Sequence, residues 1–373
     1  MTLFNKYVVL ALTLISTSML VQASNQAHYS PTTKQRSSRG FTLTEDRLTA
    51  IIIDLFDEAL LDGNNIENKL YDNNKDANDT DYVALEFEIC TLPSATTEGS
   101  PKKNSSFKKS VYSAQKNLSL LIAKLYIRRW EGITSLNFLQ HPSLKRSTLP
   151  SLLQTLEVSK CNITILNVTV DTFSGYAIKA LDLHKNLIRS VVNQGGRNPL
   201  NDLDRLNLNC NQIISLGEVF AQASSSLKVL NLQNNCLTSL PACCLSGLGD
   251  LEYLNLSNNL LNDAGLCVGS FAGIHADASK DLTIDMSNNL LEVFPPLQEI
   301  RDYLTELNLH GNALQSVSRK GYQLPKLRKL GLISYMRSSD LDELLVKKLV
   351  HRVNTEICTI TVAPGFNDNY ETA

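Results

Sequence analysis

The stretch Leu203-Asp204-Arg205-Leu206-Asn207-Leu208-Asn209-Cys210-Asn211-Gln212-Ile213 decides how the chain is read. Leucine or isoleucine stands at its first, fourth, sixth and eleventh places, and asparagine at its ninth. The same frame returns as Leu227, Leu230, Leu232, Asn235, Leu237 and again as Leu251, Leu254, Leu256, Asn259, Leu261. Working outward, Ile178, Leu181, Leu183, Asn186 and Ile188 precede these copies, and Leu304, Leu307, Leu309, Asn312 and Leu314 follow them. Weaker copies are Leu153, Leu156, Val158, Cys161 and Ile163, then Ile284, Met286, Asn289 and Leu291, then Leu327, Leu330 and Leu332, where Tyr335 replaces the asparagine.

The central apolar residue of each copy falls at 156, 181, 206, 230, 254, 284, 307 and 330, so the steps are 25, 25, 24, 24, 30, 23 and 23 residues. Eight near-regular turns of that length predict a solenoid. The alternation L-x-L points two side chains inward from a short strand, and one turn cannot bury that face alone; stacked turns can. The asparagine stands where the strand bends, and its amide can both donate to and accept from backbone groups that the bend leaves unpaired. Phe173, Phe220 and Phe271, each a little beyond its repeat's asparagine or its equivalent, are expected to fill the convex half of the core.

On these residues, 151–336 resembles the leucine-rich-repeat superfamily, of the 24-residue kind frequent in exported and receptor proteins. The resemblance implies an α/β fold, a curved solenoid with a parallel sheet on its concave face. It also implies ligand and partner binding as the common property, rather than one reaction. Extracellular animal members often carry clustered-cysteine caps, which lone Cys90 and lone Cys358 cannot make, so a bacterial secreted repeat protein with helical caps fits equally.

The organisation expected is 1–23 signal peptide, 24–40 linker, 41–130 mixed helical N-terminal cap, 131–336 repeat array and 337–373 small α/β C-terminal cap. Lys6 followed by the apolar run Tyr7–Val21 and by Gln22, Ala23 and Ser24 reads as an export signal. That run is about 15 residues, short of the roughly 20 that cross a bilayer. The protein is therefore expected to be secreted or extracellular, or periplasmic if bacterial, without a membrane span. In the cap, Thr42 and Glu45 form a capping box before Leu48, Ile51, Ile52, Leu55, Phe56, Ala59 and Leu60, a helix ending at Gly63. Residues 62–81 read as a loop, Val83, Leu85, Phe87 and Ile89 as a strand, and Ala114–Tyr126 as a second helix. After the array, Ser339 opens a helix closing near Lys347 and Lys348, and Ile357–Val362 suggests a final strand.

Net charge is −2, which gives no global field for nucleic acid. The charge is uneven: residues 41–90 carry thirteen Asp and Glu against three Lys and Arg, and 101–160 carry eleven basic residues against two acidic. Mutual neutralisation is the simplest account. No cofactor, metal or catalytic site is expected. Asp72, Asn74 and Asp76 imitate a calcium loop, but Ala77 and Val83 stand where glycine and glutamate belong. Ser159, Asp182 and His184 suggest a triad, yet an Asp and a His two apart on a strand project in parallel about 7 Å apart and would not orient one another. Sequons stand at Asn78, Asn104, Asn117, Asn162, Asn167 and Asn255; the last would put a glycan on the sheet face.

Binding is expected on the concave columns. The central one reads Glu157, Asp182, Asn207, Asn231, Asn255, Asp285, Asn308, Gly331, and the next Ser159, His184, Asn209, Gln233, Ser257, Ser287, His310. The candidate partner-binding residues are Asn207, Asn209, Asn231, Gln233, Tyr253 and Asn255. A protein ligand, or alternatively a glycan, is the expected partner of a monomer. A structural envelope or matrix component, or a microbial effector acting on a host protein, are the alternatives; tandem assembly calls for exposed apolar strips, which this face lacks. Cys243 and Cys267 each lie eight residues after their repeat's asparagine, which predicts neighbours about 5 Å apart, within the roughly 4.4–6.8 Å a disulfide allows. Cys244 competes for Cys267. Cys161, at an asparagine position, is expected to be a free core thiol.

Overall fold

The computed structural model describes residues 48–50, 52–53, 66–71, 83–91, 121–130, 132–147, 149–169, 171–193, 199–221, 226–274, 280–315, 323–332 and 359–362, all within one compact unit, Leu43–Ala373. The strands in chain order are β1 (Ile66–Tyr71), β2 (Val83–Thr91), β3 (Leu121–Arg128), β4 (Leu153–Ser159), β5 (Ile165–Val168), β6 (Ala180–Asp182), β7 (Ser190–Asn193), β8 (Arg205–Asn207), β9 (Val229–Asn231), β10 (Tyr253–Asn255), β11 (Leu282–Asp285), β12 (Leu304–Asn308), β13 (Lys329–Leu332) and β14 (Thr359–Val362). Twelve of them form one sheet in the order β1-β2-β3-β4-β6-β8-β9-β10-β11-β12-β13-β14, and β5 pairs with β7 in a second. Strands β1 to β3 pair antiparallel; from β3 onward the main sheet is parallel. This is the expected solenoid.

The register is the one the leucines dictate. Leu156 faces Leu181, then Leu206, Leu230, Leu254, Ile284, Leu307 and Leu330 in successive strands. All eight are at most 2% exposed. A one-residue slip would turn this row to solvent, which is why a strand of three residues suffices to set it. Phe173, Phe220 and Phe271 are buried on the far side of the core, joined by Phe294. Helix is scarce among the described residues: 48–50 and 52–53 are helical, followed by two short helices, α1 (Pro142–Arg146) and α2 (Leu149–Leu152). Leu48 and Ile52 are buried, as the amphipathic pattern requires.

Two local expectations give way. Residues 66–71, read as loop, are the strand β1. Residues 121–126, read as helix, belong to β3. In β3 the inward residues Ala123, Leu125 and Ile127 alternate with half-buried Lys124, Tyr126 and Arg128. The two-residue period wins there because β2 and β4 offer hydrogen-bonding edges on both sides. Strand β3 matches β4 in repeat register, Leu125 against Leu156 and Ile127 against Val158, so the sheet runs unbroken across residue 130. The signal and linker segments, the rest of the first helix to Gly63, the calcium-like loop up to Tyr82, residues 92–120 and the Ser339–Lys348 helix lie outside the described residues.

Behind the strands runs a ladder of buried amides. Asn235 donates through Nδ2 to the carbonyls of Leu208 in the preceding turn (3.0 Å) and Leu232 in its own (3.0 Å), while its Oδ1 accepts the Ile213 N–H (3.0 Å). Asn186, Asn211, Asn259, Asn289 and Asn312 repeat the arrangement. Each amide thereby satisfies groups from two turns that are out of reach of water. At Cys161 the amide ladder stops: the thiol, free and buried, donates to the Ser159 carbonyl at 3.3 Å and also meets the Trp130 backbone. Burial pushes that thiol up to about 11.

The expected Cys243–Cys267 bridge does not form; both thiols are free and exposed. Repeats 227–237 and 251–261 run 24 residues apart at Leu237 and Leu261, but beyond the tight turn Asp263–Gly265 the pairing is Leu240 with Leu266, 26 apart. The Asn262 side chain accepts the Gly265 N–H at 2.9 Å and closes that turn. Two residues are thus inserted, Cys267 lies level with Pro241, and the Cys243 N–H meets the Gly269 carbonyl instead (2.9 Å). Cys244, the competitor, is buried and free, its thiol raised by that burial and by the nearby Cys267 and Cys243.

Candidate functional site

The outward face of the parallel sheet is built from side chains between the buried leucines. Pairing aligns Glu157, Asp182, Asn207, Asn231, Asn255, Asp285, Asn308 and Gly331 in one column. Asn209 and Gln233 follow in the next, level because the N–H groups of Leu208 and Cys210 reach the carbonyls of Asn231 and Gln233. Tyr253 stands on the other side of the central column, between Val229 and Thr283.

Sequence reasoning missed what the central column does for the fold. Each of its Asp or Asn side chains turns back to accept the N–H two residues on: Asp182 from His184 (3.0 Å), Asn207 from Asn209 (3.1 Å), Asn231 from Gln233 (3.1 Å), Asn255 from Ser257 (2.9 Å), Asp285 from Ser287 (2.9 Å) and Asn308 from His310 (3.2 Å). The strand ends at this position, so the N–H two residues later needs a local acceptor, and a short carbonyl or carboxylate side chain supplies it. Six consecutive repeats with Asp or Asn at one outward position was the signal. The consequence for recognition is orientation: with Oδ1 fixed inward, Asn231 presents its Nδ2 donor, whereas the Asn207 side chain also hydrogen-bonds the Asp182 carboxylate.

Asn255 is different from its neighbours in the column. It is 7% exposed, its Oδ1 also takes the Ser257 hydroxyl (2.6 Å), and its Nδ2 points to the Tyr253 hydroxyl (3.4 Å). Asn255 thus spends its Oδ1 and one of its two Nδ2 hydrogens within the sheet. Asn209, Gln233, Asn207, Asn231 and Tyr253 are half-buried. The Asn209 Oδ1 is buried and has no hydrogen-bond partner.

At the N-terminal end the geometry overturns one expectation. Asp182 and His184 are not parallel and apart: Nδ1 lies 2.8 Å from the carboxylate. Strand β6 ends at Asp182, so the chain leaves the extended geometry and residue 184 folds back toward the side chain that caps it. Yet the Ser159 hydroxyl donates to Glu157 (2.6 Å), which is also gripped by the Arg128 guanidinium at 2.7 and 2.8 Å. Arg128 in turn stacks 4.8 Å from the Tyr126 ring centroid. The hydroxyl is thus committed to a carboxylate rather than offered to the imidazole. Among the described residues no group of three His, Cys, Asp or Glu side chains is placed to hold a metal ion.

These two carboxylates couple stability to acid. Burial pushes Glu157 up, but the hydrogen bonds of Arg128 and Ser159 outweigh it and hold the group below its ordinary 4.5. Burial likewise opposes, and the His184 side-chain and backbone bonds reverse, the shift of Asp182, which lies below its ordinary 3.8. A carboxyl depressed in the folded state stabilises it above the unfolded value and loses that contribution as pH falls through the folded value. The Glu157→Gln, Asp182→Asn protein is therefore expected to melt below wild type at pH 7, with the gap closing toward pH 3. Calorimetric melts at both pH values check it; a gap that stays constant with pH counts against the coupling.

With the register known, comparison with known proteins identifies the repeat. A leucine rich repeat model matches residues 201–261, the three cleanest copies. The chain carries leucine-rich repeats. Among solved structures similar to the repeat protein is the crystal structure of a TLR13-ssRNA13 complex, 22% identical, aligned over 54% of this chain and 31% of that one with a TM-score of 0.37. The repeat protein thus spans about a third of the length of that structure's chain. No curated protein matches it. No helix among its described residues is long and apolar enough to cross a membrane.

Proposed function

We propose that the repeat protein is an exported, non-enzymatic binding module that recognises a protein partner through the outward sheet face centred on Asn207, Asn209, Asn231, Gln233 and Tyr253. One observation carries the proposal. The column of inward-turned Oδ1 atoms fixes the Asn207 and Asn231 amides in advance, leaving an Nδ2 donor at Asn231 on the same face as a buried, unsatisfied acceptor at Asn209. Side chains already ordered lose little entropy on binding, and a partner supplying a donor to Asn209 gains what the free protein lacks. Tyr253 adds an aromatic anchor of the kind that dominates interface energies. The export signal at Tyr7–Val21 supports secretion, and the engagement of Ser159 by Glu157 supports a role without catalysis.

The test is an affinity capture using protein recovered from the medium of expressing cells, a step that fails outright if the chain is not exported. Against a captured partner, the Asn231→Lys, Tyr253→Glu double variant is expected to bind at least about tenfold more weakly, since a hot-spot aromatic alone is worth 2 kcal/mol or more. Unchanged affinity in a folded double variant would move the site off this face.

A further inference from the structure

The residue before each ladder asparagine, or its equivalent, adopts a left-handed backbone. The φ angles are 60° at Arg129, 55° at Lys160, 54° at Lys185, 54° at Cys210, 54° at Asn234, 55° at Asn258, 52° at Asn288 and 70° at Gly311. Asparagine and glycine tolerate this conformation; long side chains do not favour it. The later turns obey the rule with Asn234, Asn258, Asn288 and Gly311. The first three place arginine and lysine there instead, against local preference, and such violations mark function more often than accident.

The row is built into the stack. Each of these N–H groups donates across to the next turn: Arg129 to Ser159 (3.0 Å), Lys160 to His184 (3.2 Å), Lys185 to Asn209 (3.0 Å) and Cys210 to Gln233 (2.9 Å). Successive side chains therefore stand one strand spacing apart, about 5 Å, in a line beside the Ser159–His184–Asn209 column. Lys160 and Lys185 are exposed, and among the described residues neither ammonium has an ion-pair partner. The carboxylates of the adjoining column are engaged elsewhere: Glu157 by Arg128 and Ser159, Asp182 by His184. Partial burial, then the nearby Arg129, Lys185 and Arg128, hold the Lys160 ammonium below its ordinary range despite Glu157.

We propose that Arg129, Lys160 and Lys185 form a docking row for a short acidic segment of a protein partner, two or three carboxylates long. The length argues for this class. Three rungs cover about 10 Å before the neutral Cys210 ends the row, and the carboxylates of Glu157 and Asp182 flank it. A nucleic acid or long sulfated chain needs an extended basic footprint, which the next rungs of this row do not continue. The row sits beside the N-terminal turns, away from the Asn231–Tyr253 centre, and goes beyond the function proposed above. The two can fail separately, because each has its own variant and readout.

A fluorescent hexaglutamate peptide tests it, by anisotropy at low ionic strength and at about 0.15 M salt. Wild type is expected to bind at low salt and weaken with screening. Lys160→Asn, Lys185→Asn is expected to bind about tenfold more weakly, yet to melt roughly 2–4 °C higher, since asparagine suits the left-handed backbone and relieves repulsion. Arg301→Gln, Arg328→Gln, which removes two exposed cations elsewhere, should change binding less than about twofold. The proposal is overturned by equal peptide binding in the lysine variant, by a lower melting temperature for it, or by oligothymidylate or a heparin hexasaccharide displacing hexaglutamate at tenfold lower concentration.

Discussion

Leu230→Asp unfolds the stack, and Leu206→Asp does the same. Both leucines are at most 1% exposed, and each sits between leucines of the adjoining turns, Leu181, Leu206, Leu230 and Leu254 in succession. A carboxylate there has no donor to meet it; every neighbouring backbone amide is occupied in the ladder. Burying it unpaired costs several kcal/mol, against a total stability usually about 5–15 kcal/mol. In a repeat protein each turn is stable only through its neighbours, so the damage extends to the turns on either side. A thermal melt by circular dichroism should show the midpoint falling by more than about 10 °C, or no folded baseline at all. Asn231→Asp, one residue along and facing outward, keeps the oxygen that accepts from Gln233 and should lie within about 2 °C of wild type. A Leu230→Asp protein that melts with wild type would show the register to be wrong.

The second large effect is expected at the amide ladder. Asn235 is 2% exposed and serves the Leu208 and Leu232 carbonyls and the Ile213 N–H. Asn235→Ala orphans the Ile213 N–H in a place water does not reach, at about 1–3 kcal/mol, and takes one of two amide donors from each carbonyl, Asn211 still serving Leu208 and Asn259 still serving Leu232, at about 1 kcal/mol for each bond lost. Some relaxation is unavoidable, and a net loss of about 3 kcal/mol in urea unfolding is expected. Asn231→Ala removes one exchangeable cap at a half-buried position and should cost about 1 kcal/mol. If Asn231→Ala proves the costlier of the two, the ladder does not carry the stability assigned to it here.

The contrast between these two asparagines shows why part of the site was legible and part was not. Asn235 belongs to a frame that recurs with leucines around it, and a polar residue at an apolar period announces a buried, bonded group before any coordinates exist. Asn231 lies at an outward position, where solvation, recognition and strand capping all favour the same residue types, so pattern alone could place it in a column but not tell that its Oδ1 is used.

Strand positions, their parallel order, their register from Leu153 to Leu332 and the buried identity of Cys161 were determined by the sequence itself, because a two-residue alternation repeated every 23 to 30 residues has one arrangement that buries all its leucines. Interactions that depend on neighbours in space were decided only by the tertiary structure. Leu121–Arg128 is a strand because β2 and β4 flank it. Asp182 reaches His184 because β6 ends there, a boundary that pairing sets and side-chain period does not. Cys243 misses Cys267 because the turn at Asp263–Gly265 adds two residues between otherwise regular repeats, and a convex connection, free of the leucine frame, takes its length from how its own backbone closes.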